Sequence, residues 1–238
     1  MKITDIHCHL LPGVDDGAKD MDDTKAMLKI AADDGIQRIM FTPHIRRPWL
    51  KRPWSKVLEA FEKVKEYAAS AHPQLELYLG SEFDYSGTIL HEEPHQLHDL
   101  SGSGMILVEF KPYDKFDRIR EGIQQVQMAG YDVMLAHIER YDVMLTDIDL
   151  ASRIADLGAL IQVNADDIVH PGSFKMRGYM KKMIDRHLID LAGSDAHDVK
   201  FRRPELSKAY EIVKKRAGAD YADYVFGGCA DRIIKRDV

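Results

Sequence analysis

Short apolar runs rich in β-branched residues alternate with longer segments of helical period along this chain, and that alternation limits the folds it can adopt. Alternating strands and helices are typical of βα units that build a parallel sheet. The pattern predicts seven strands, at residues 3–9, 38–44, 75–83, 105–110, 132–137, 159–165 and 188–194. Helices are predicted at residues 22–34, 54–71, 117–129, 148–157, 174–187, 204–216 and 219–235. Gly35, Gly130 and Gly158 follow predicted helices, where a left-handed C-cap residue is expected. The sequence therefore predicts an α/β fold.

The length of 238 residues fits one large α/β domain, because barrels of this class commonly run to about 200 to 250 residues without dividing. No linker rich in proline or serine divides the chain, and no internal repeat is evident beyond the alternation itself. The composition, 45% hydrophobic and 30% charged residues, is typical of a globular protein rather than a disordered one. A single barrel over residues 1–238 is therefore preferred to two domains.

Charge and cysteine content restrict the partners and the compartment. The net charge of −6 at pH 7 argues against a general nucleic-acid binder, which would carry a basic surplus. Cys8 and Cys229 give no framework of paired spacings, which suits a reducing compartment. The amino terminus shows no signal-peptide pattern, and no apolar run approaches the length of a membrane span. We expect a cytoplasmic protein without membrane insertion.

Residues that can bind metal end nearly every predicted strand, and in a (β/α) barrel these ends open onto one rim. In the first strand, alternation places Asp5, His7 and His9 on one face and Ile6 and Cys8 on the other. The predicted ligands are His7, His9, His44, Glu82, Glu109, His137, Asp195 and His197, with Asp16 in the loop after the first strand.

Each of these residues also has a structural explanation when it is taken alone. Glu109 could be a paired buried acid, and His44 could cap the loop after Pro43. However, an unpaired charge is costly to bury at the end of an apolar strand, and the pattern recurs on nearly every strand. Nitrogen and oxygen donors without thiolates can hold two or three divalent ions, among them Mn²⁺, Mg²⁺, Fe and Zn²⁺. The sequence therefore predicts a polynuclear metal site on this rim.

The segment DIHCHLLPGVDDG at residues 5–17 resembles the opening signature of the polymerase and histidinol phosphatase (PHP) superfamily. Further segments are similar to the manganese-dependent protein tyrosine phosphatases of bacterial capsule and exopolysaccharide systems. These segments are AHIERY at 136–141, QVNA at 162–165, SDAH at 194–197 and RRP at 202–204. The resemblance extends over about residues 3 to 215 and implies a distorted seven-stranded, TIM-like barrel of the PHP type.

The resemblance also implies how the ligands share the ions. One ion would be held by His7, His9, Glu82 and Asp195, a second by Glu82, Glu109 and His137, and a third by Asp16, His44 and His197. Glu82 would bridge the first two ions. A metal-bound hydroxide would attack phosphorus while the ions neutralise charge on the phosphoryl oxygens. Mn²⁺ is the ion that the resemblance favours.

Two arginines are candidates for binding the phosphate, because a planar guanidinium can bind two of its oxygens. Arg140 belongs to the rim loop after the fifth predicted strand, and Arg203 lies downstream of the seventh. A surface ion pair remains an alternative for both residues.

Other segments bear on the substrate rather than on the metal. Residues 46–54 are basic and aromatic and form either a lid beside the phosphate or a solvated loop. The chain departs from the family pattern at Ile138, 110–112 and 225–229. These departures remove no predicted metal ligand, so they bear on how the substrate fits more than on the metal chemistry. The histidines of the segment 91–98, namely His91, His95 and His98, are predicted to lie at the surface.

We expect a metal-dependent phosphomonoesterase acting on protein phosphotyrosine in the tail of a bacterial tyrosine kinase that regulates polysaccharide assembly, a substrate implied by the resemblance alone. A small-molecule phosphatase, such as a histidinol-phosphate phosphatase, would share the same metal core. A kinase-docking module would use metal for stability only. A cysteine-dependent phosphatase is disfavoured, because the residues six positions after Cys8 and Cys229 are Val14 and Lys235 rather than arginine. The resemblance is compatible with an oligomer, but the sequence shows no interface signal.

Overall fold

The computed structural model describes residues 1–45, 53–92 and 97–234. Its strands are β1 (Thr4–Cys8), β2 (Arg38–Phe41), β3 (His44–Ile45), β4 (Glu76–Leu79), β5 (Glu82–Asp84), β6 (Met105–Glu109), β7 (Asp132–Leu135), β8 (Leu160–Asn164) and β9 (Leu191–Gly193). Its α-helices are α1 (Met21–Asp33), α2 (Trp54–Ala71), α3 (Gly87–Glu92), α4 (Phe116–Met128), α5 (Asp149–Asp156), α6 (Ala165–Val169), α7 (Phe174–Asp185), α8 (Ser207–Ala217), α9 (Ala219–Asp223) and α10 (Cys229–Ile234). Short 3₁₀ turns cover Ile138–Arg140 and Met144–Thr146, and a π-helical turn covers Tyr224–Gly228. The predicted α/β alternation is confirmed.

The paired strands of the described ranges run parallel and form two sheets, in the orders β1-β2-β4 and β3-β5-β6-β7-β8-β9. Backbone hydrogen bonds also join the end of β1 to the segment after β9. The His9 amide donates to the Ala196 carbonyl at 2.9 Å, and the Asp195 amide donates to the His7 carbonyl at 2.7 Å. The parallel sheet therefore curls, and the carboxyl ends of its strands surround a common space.

Two of the predicted strands are broken in the structure. The segment 38–44 divides into β2 and β3, and the segment 75–83 divides into β4 and β5. Pro43, at the first break, has no amide hydrogen to donate to a neighbouring strand. Gly80, at the second, packs so closely on Leu100 that an added Cβ would lie 2.6 Å from Leu100 Cδ2. Two of the seven predicted strands are therefore each divided into two, and the described ranges contain nine shorter strands.

Strand β1 does not keep the predicted alternation of faces. Its register with β2 shifts between Asp5 and Cys8. Ile6 packs in a core cluster with Met40, whereas Cys8 packs in the larger cluster that contains Leu28 of α1. An irregularity inside a strand re-aims the side chains that follow it. The prediction that Ile6 and Cys8 share one face is therefore wrong.

Helix ends agree with the glycine pattern of the sequence. Gly35, Gly130 and Gly158 have φ values of 89°, 96° and 80°, in the left-handed region that glycine occupies without steric cost. Their predicted role at helix ends is confirmed. Within the described ranges, no helix combines the length and the hydropathy that crossing a bilayer requires.

Candidate metal centre

The nine predicted ligand side chains lie at the carboxyl ends of the parallel strands. His7 is in β1, His44 begins β3, Glu82 begins β5 and Glu109 ends β6, whereas His9, Asp16, His137, Asp195 and His197 lie in loops that follow strands. Seven of them, all except His7 and His9, line one cavity of about 180 Å³, which we call the catalytic cavity. His7 and His9 are buried beside it, each with Nε2 3.5 Å from Asp195 Oδ1.

Three groups of donor atoms among the described residues are close enough to share an ion. In each group, one ligand atom from every residue lies within 4.8 Å of the others. The groups are His9, Asp16, His44 and His197; His7, His9 and Asp195; and His44, Glu82 and Glu109. Because His9 and His44 each belong to two groups, the donor atoms form one continuous centre rather than three separate sites.

The Glu82 carboxylate lies at the middle of this centre and is 1% exposed. Its Oε1 is 3.1 Å from His137 Nε2 and 3.4 Å from His7 Nε2, and its Oε2 is 2.8 Å from His44 Nδ1 and 3.3 Å from His9 Nε2. Burial by itself raises the pKa of Glu82, but the imidazoles of His7 and His44 outweigh burial and hold that pKa well below its usual range. Both oxygens are thus ionised and face ligand nitrogens, the arrangement that a bridging carboxylate needs.

The outer nitrogens of two histidines are held by neighbouring acceptors. Asp15 Oδ2 lies 2.7 Å from His9 Nδ1, and Gln162 Oε1 lies 3.2 Å from His7 Nδ1. Such partners fix the ring orientation and leave Nε2 as the ligand atom. The two Nε2 atoms then face each other at 3.2 Å, where two lone pairs repel unless a cation lies between or beside them. The donor set and its orientation therefore fit divalent metal ions.

Asp15 is a residue of this centre to which the sequence analysis assigned no role. Burial disfavours the charged form of His9, but the Asp15 carboxylate outweighs burial and raises the pKa of His9 well above its ordinary value. Burial likewise opposes ionisation of Asp15, yet the charge of His9 lowers the pKa of Asp15 to about 2. Surroundings that stabilise a proton on His9 also stabilise a metal cation there. Its place in the loop beside Asp16 was the available signal.

Replacing Asp15 by asparagine keeps the shape of the side chain but removes its charge. We expect metal affinity to fall by about tenfold to a hundredfold, the usual cost of losing such a partner. Competition with a fluorescent chelator measures this change, and Asp147→Asn, at an exposed turn residue, is the control. An unchanged metal affinity in Asp15→Asn would contradict the role given to Asp15.

Two of the candidate ligands have left-handed backbones, which is unusual outside glycine. The φ values are 31° for His137 and 51° for Asp195. Side chains from β8 hold both positions: Gln162 Oε1 accepts from the His137 amide at 2.7 Å, and Asn164 Nδ2 donates to Asp195 Oδ2 at 2.9 Å. Strain of this kind persists only where surrounding contacts maintain it, and it concentrates at functional sites. The sequence analysis gave Gln162 and Asn164 no role, although both lie in a segment that carries the family resemblance.

Two arginines reach the catalytic cavity, and one of them differs from the prediction. Arg140 lines the cavity, donates from Nε to Asp167 Oδ2 at 3.2 Å, and has Nη1 3.8 Å from Asp195 Oδ2. Arg202 also lines the cavity and forms an ion pair with the same Asp195 oxygen. Arg203 instead pairs with Glu205 at 2.8 Å and does not line this cavity.

This placement favours Arg202 over Arg203 as the second arginine beside the candidate ligands. Backbone hydrogen bonds close the loop that leads to these arginines, because the Arg202 carbonyl accepts from the amides of His197 at 3.0 Å and Asp198 at 3.2 Å. The two neighbouring residues line different cavities. The alternative of a surface ion pair, which the sequence left open, describes Arg203.

The remaining wall of the catalytic cavity is apolar and includes Phe110, Pro112 and Tyr141. The Tyr141 hydroxyl donates to the Ala136 carbonyl at 2.8 Å and accepts from the Phe110 amide at 3.2 Å. These bonds hold the Tyr141 ring in place beside the ligand residues. The cavity therefore combines an acidic and imidazole-rich floor, two guanidinium groups and a fixed aromatic wall.

The predicted lid and the histidine-rich segment lie only partly in the described residues. Residues 46–52 fall outside them, and so does His95. Trp54 stacks on His98 with ring centroids 3.5 Å apart, and both side chains are half-buried. His91 is exposed, in agreement with its predicted surface position.

Solved structures resemble this fold over nearly its whole length. The structure of the "unique metal-dependent tyrosine phosphatases" YwqE from Bacillus subtilis and CpsB from Streptococcus pneumoniae matches with a TM-score of 0.88 and 24% identity, covering 99% of this chain and 96% of that one. Histidinol phosphate phosphatase from Lactococcus lactis, complexed with zinc, L-histidinol and phosphate, matches with a TM-score of 0.54 and 14% identity, covering 96% and 98%. At these identities, the matches establish the fold.

Sequence comparison extends the likeness to named relatives. The chain is 31% identical over 236 residues to tyrosine-protein phosphatase CpsB of Streptococcus pneumoniae, with 97% of each chain covered. It is 29% identical over 218 residues to tyrosine-protein phosphatase YwqE of Bacillus subtilis (strain 168), covering 91% of this chain and 85% of that protein. The family model described as capsular polysaccharide synthesis, CpsB/CapC, matches residues 3–235. This chain belongs to the CpsB/CapC family.

Proposed function

We propose that this chain is a metal-dependent protein tyrosine phosphatase that acts on a bacterial tyrosine kinase regulating capsule or exopolysaccharide synthesis. The observation that carries the proposal is the convergence of Arg140 and Arg202 on one oxygen of Asp195, a candidate metal ligand, inside a single cavity. A phosphate in that cavity would meet the metal centre and both guanidinium groups together. The similarity to named tyrosine phosphatases over nearly the whole chain supports the same activity.

Three ions are proposed, with the ligand sets that the family resemblance implies. The sets are His7, His9, Glu82 and Asp195; Glu82, Glu109 and His137; and Asp16, His44 and His197. The close groups of donor atoms support the first and third sets in part. His137 of the second set lies in none of these groups, but its Nε2 is 3.1 Å from Glu82 Oε1 and 3.6 Å from Glu109 Oε1. Mn²⁺ is the proposed ion, and the same donors also suit Fe, Mg²⁺ and Zn²⁺. When bound, such ions lower the pKa of coordinated water and offset charge on the phosphoryl oxygens.

The chain's own residues orient the substrate in this proposal. Arg140 and Arg202 bind the phosphoryl oxygens and compensate the charge that grows on them during transfer. Phe110, Pro112 and Tyr141 contact the phenyl ring and keep water from that side of the cavity. The departing tyrosine has an ordinary pKa of about 10, so it needs less help from an acid than an alkyl alcohol would.

Arg202 and Arg203 form a matched pair for testing which arginine binds the phosphate. We expect Arg202→Lys to lower kcat/KM for free phosphotyrosine by about tenfold to a hundredfold, because lysine cannot bind two oxygens in one plane. Arg203→Lys should change it by less than about twofold, since this guanidinium lies on the surface beside Glu205. Steady-state kinetics with metal analysis of both variants checks this prediction. The reverse order of effects would assign phosphate binding to Arg203 rather than to Arg202.

The experiment that tests the proposed function measures bound metal and phosphatase activity on the same preparation. We expect hydrolysis of phosphotyrosine peptides to disappear with a chelator and to return with Mn²⁺. Histidinol phosphate, assayed in parallel, addresses the small-molecule alternative, which would share the same metal core. Preferential turnover of histidinol phosphate would overturn the substrate proposal. Metal-loaded protein that binds a kinase tail but hydrolyses no phosphomonoester would be a docking module instead.

We further propose that the strands form one closed, distorted seven-stranded barrel within a single domain of residues 1–238. The proposal counts β2 with β3, and β4 with β5, as single broken strands. The bridge between Cys8 and Ala196 supports closure between β9 and β1. A cytoplasmic location, the kinase tail as the physiological partner and an oligomeric state remain predictions from the sequence.

A further inference from the structure

A second cavity of about 240 Å³, which we call the side cavity, lies beside the loop that carries Arg202. Its wall includes Asp166, His170, Lys200, Phe201, Arg203 and Lys208. We propose that the side cavity binds an acidic side chain that flanks the phosphotyrosine in the substrate protein, an inference that rests on the proposed function. It would thereby determine which phosphotyrosines the enzyme prefers.

The side cavity and the catalytic cavity adjoin each other along two pairs of consecutive residues. Arg202 lines the catalytic cavity, and Arg203 lines the side cavity. Asp167 pairs with Arg140 of the catalytic cavity, whereas Asp166 lines the side cavity. An extended peptide advances about 3.3 to 3.6 Å per residue. A residue within a few positions of a bound phosphotyrosine therefore comes within reach of the side cavity.

The charge of the side cavity favours a carboxylate. Arg203 and Glu205 form an ion pair and largely neutralise each other. Lys200 and Lys208 make no ion pair with any residue that the structure describes, and Asp166 is the remaining acid of the wall. Two unpaired ammonium groups against one carboxylate leave a positive surface that attracts acidic groups.

The loop that presents Lys200 and Phe201 is held in one conformation by its own hydrogen bonds. Asp198 Oδ1 accepts from the amides of Lys200 and Phe201, each at 2.6 Å. Phe201 is left 85% exposed, beside the amines. The apolar ring can pack against the methylene groups of an acidic side chain, and the neighbouring amines attract its carboxylate. Because the loop is already held by hydrogen bonds, binding requires little further ordering of it.

The test compares phosphotyrosine peptides that carry glutamate or glutamine at each position from three residues before to three residues after the phosphotyrosine. At low salt, we expect a preference for glutamate of about fivefold in kcat/KM at one or more of these positions. Salt at about 0.5 M should bring the ratio of kcat/KM for glutamate over glutamine peptides close to one, because salt screens exposed charges. The double variant Lys200→Gln, Lys208→Gln should lose the preference. Lys214→Gln, Lys215→Gln, which removes two charges from helix α8 at positions outside the side cavity, should keep it.

The preference is a ratio measured on one protein, so a general loss of activity in a variant cancels. Free phosphotyrosine, which has no flanking residues, reports on the catalytic cavity alone. If the enzyme hydrolyses free phosphotyrosine but shows no preference for glutamate at any position, the proposal that the side cavity binds an acidic side chain is wrong. The proposed function would be unaffected. A glutamate preference that persists in the Lys200, Lys208 double variant would also contradict the binding role proposed for the side cavity. Failure to hydrolyse free phosphotyrosine and all the peptides would instead overturn the proposed function.

Discussion

Replacing Glu82 by glutamine is expected to lower phosphatase turnover by about a thousandfold and to release part of the bound metal. Glutamine has nearly the same volume, so the substitution removes charge rather than packing. The carboxylate oxygens lie 2.8 to 3.4 Å from nitrogens of four histidines, including His137 and His44. Without the negative charge, two ions that share this residue would repel each other across a neutral amide.

Turnover of a phosphotyrosine peptide and metal content per chain, measured on the same Glu82→Gln sample, check this prediction. Circular dichroism shows whether the fold survives. Glu121→Gln, at an exposed position of α4, is the matched control and should behave like the unmodified protein. Full metal content together with turnover within tenfold of normal would show that Glu82 does not bridge ions.

The substitution Gly193→Ala is expected to destabilise the protein by about 2 to 4 kcal/mol and to impair metal binding at the same time. An added Cβ at position 193 would lie 2.7 Å from the His7 Cβ and 3.1 Å from the His7 backbone nitrogen. Neither atom is the end of a flexible side chain, so β1 or β9 must move. Any such movement displaces His7, whose Nε2 belongs to the candidate metal centre.

Thermal unfolding and chelator competition measure these two effects of Gly193→Ala. Gly178→Ala provides the control, because Gly178 lies inside helix α7 and an added Cβ there meets no atom within 4 Å. Alanine at that position should stabilise the helix by about 0.5 to 1 kcal/mol. A neutral Gly193→Ala variant with unchanged metal affinity would mean that the contact with His7 relaxes without consequence.

Much of the fold was predictable because local patterns carry it. The apolar run at 105–110 became β6, the run at 159–165 became β8, and Gly130 ends α4 with the expected left-handed φ. Periodicity and turn residues are properties of neighbouring positions, so a single sequence displays them. The breaks that create β3 and β5 were missed. They depend partly on packing against residues distant in the chain, such as Leu100 on Gly80.

The candidate site divides in the same way. Glu109 and His137 could be selected as ligands because polar residues that end apolar parallel strands converge on one edge of a sheet. Arg202 could not be distinguished from Arg203, because which of them lines the catalytic cavity depends on how the loop that carries both packs in the fold. The role of Asp15 likewise required the fold of its loop, which brings its carboxylate to His9 Nδ1.

By itself, the sequence determined the α/β alternation, the residue types at the strand ends and the resemblance to a metal-dependent phosphatase family, because each is encoded in residues close together along the chain. Only the tertiary structure decided how those residues face one another. It set the left-handed backbones of His137 and Asp195, the partners Gln162 and Asn164 that hold them, and the position of Arg202. These features arise from contacts between segments far apart in sequence, and no local pattern specifies such contacts.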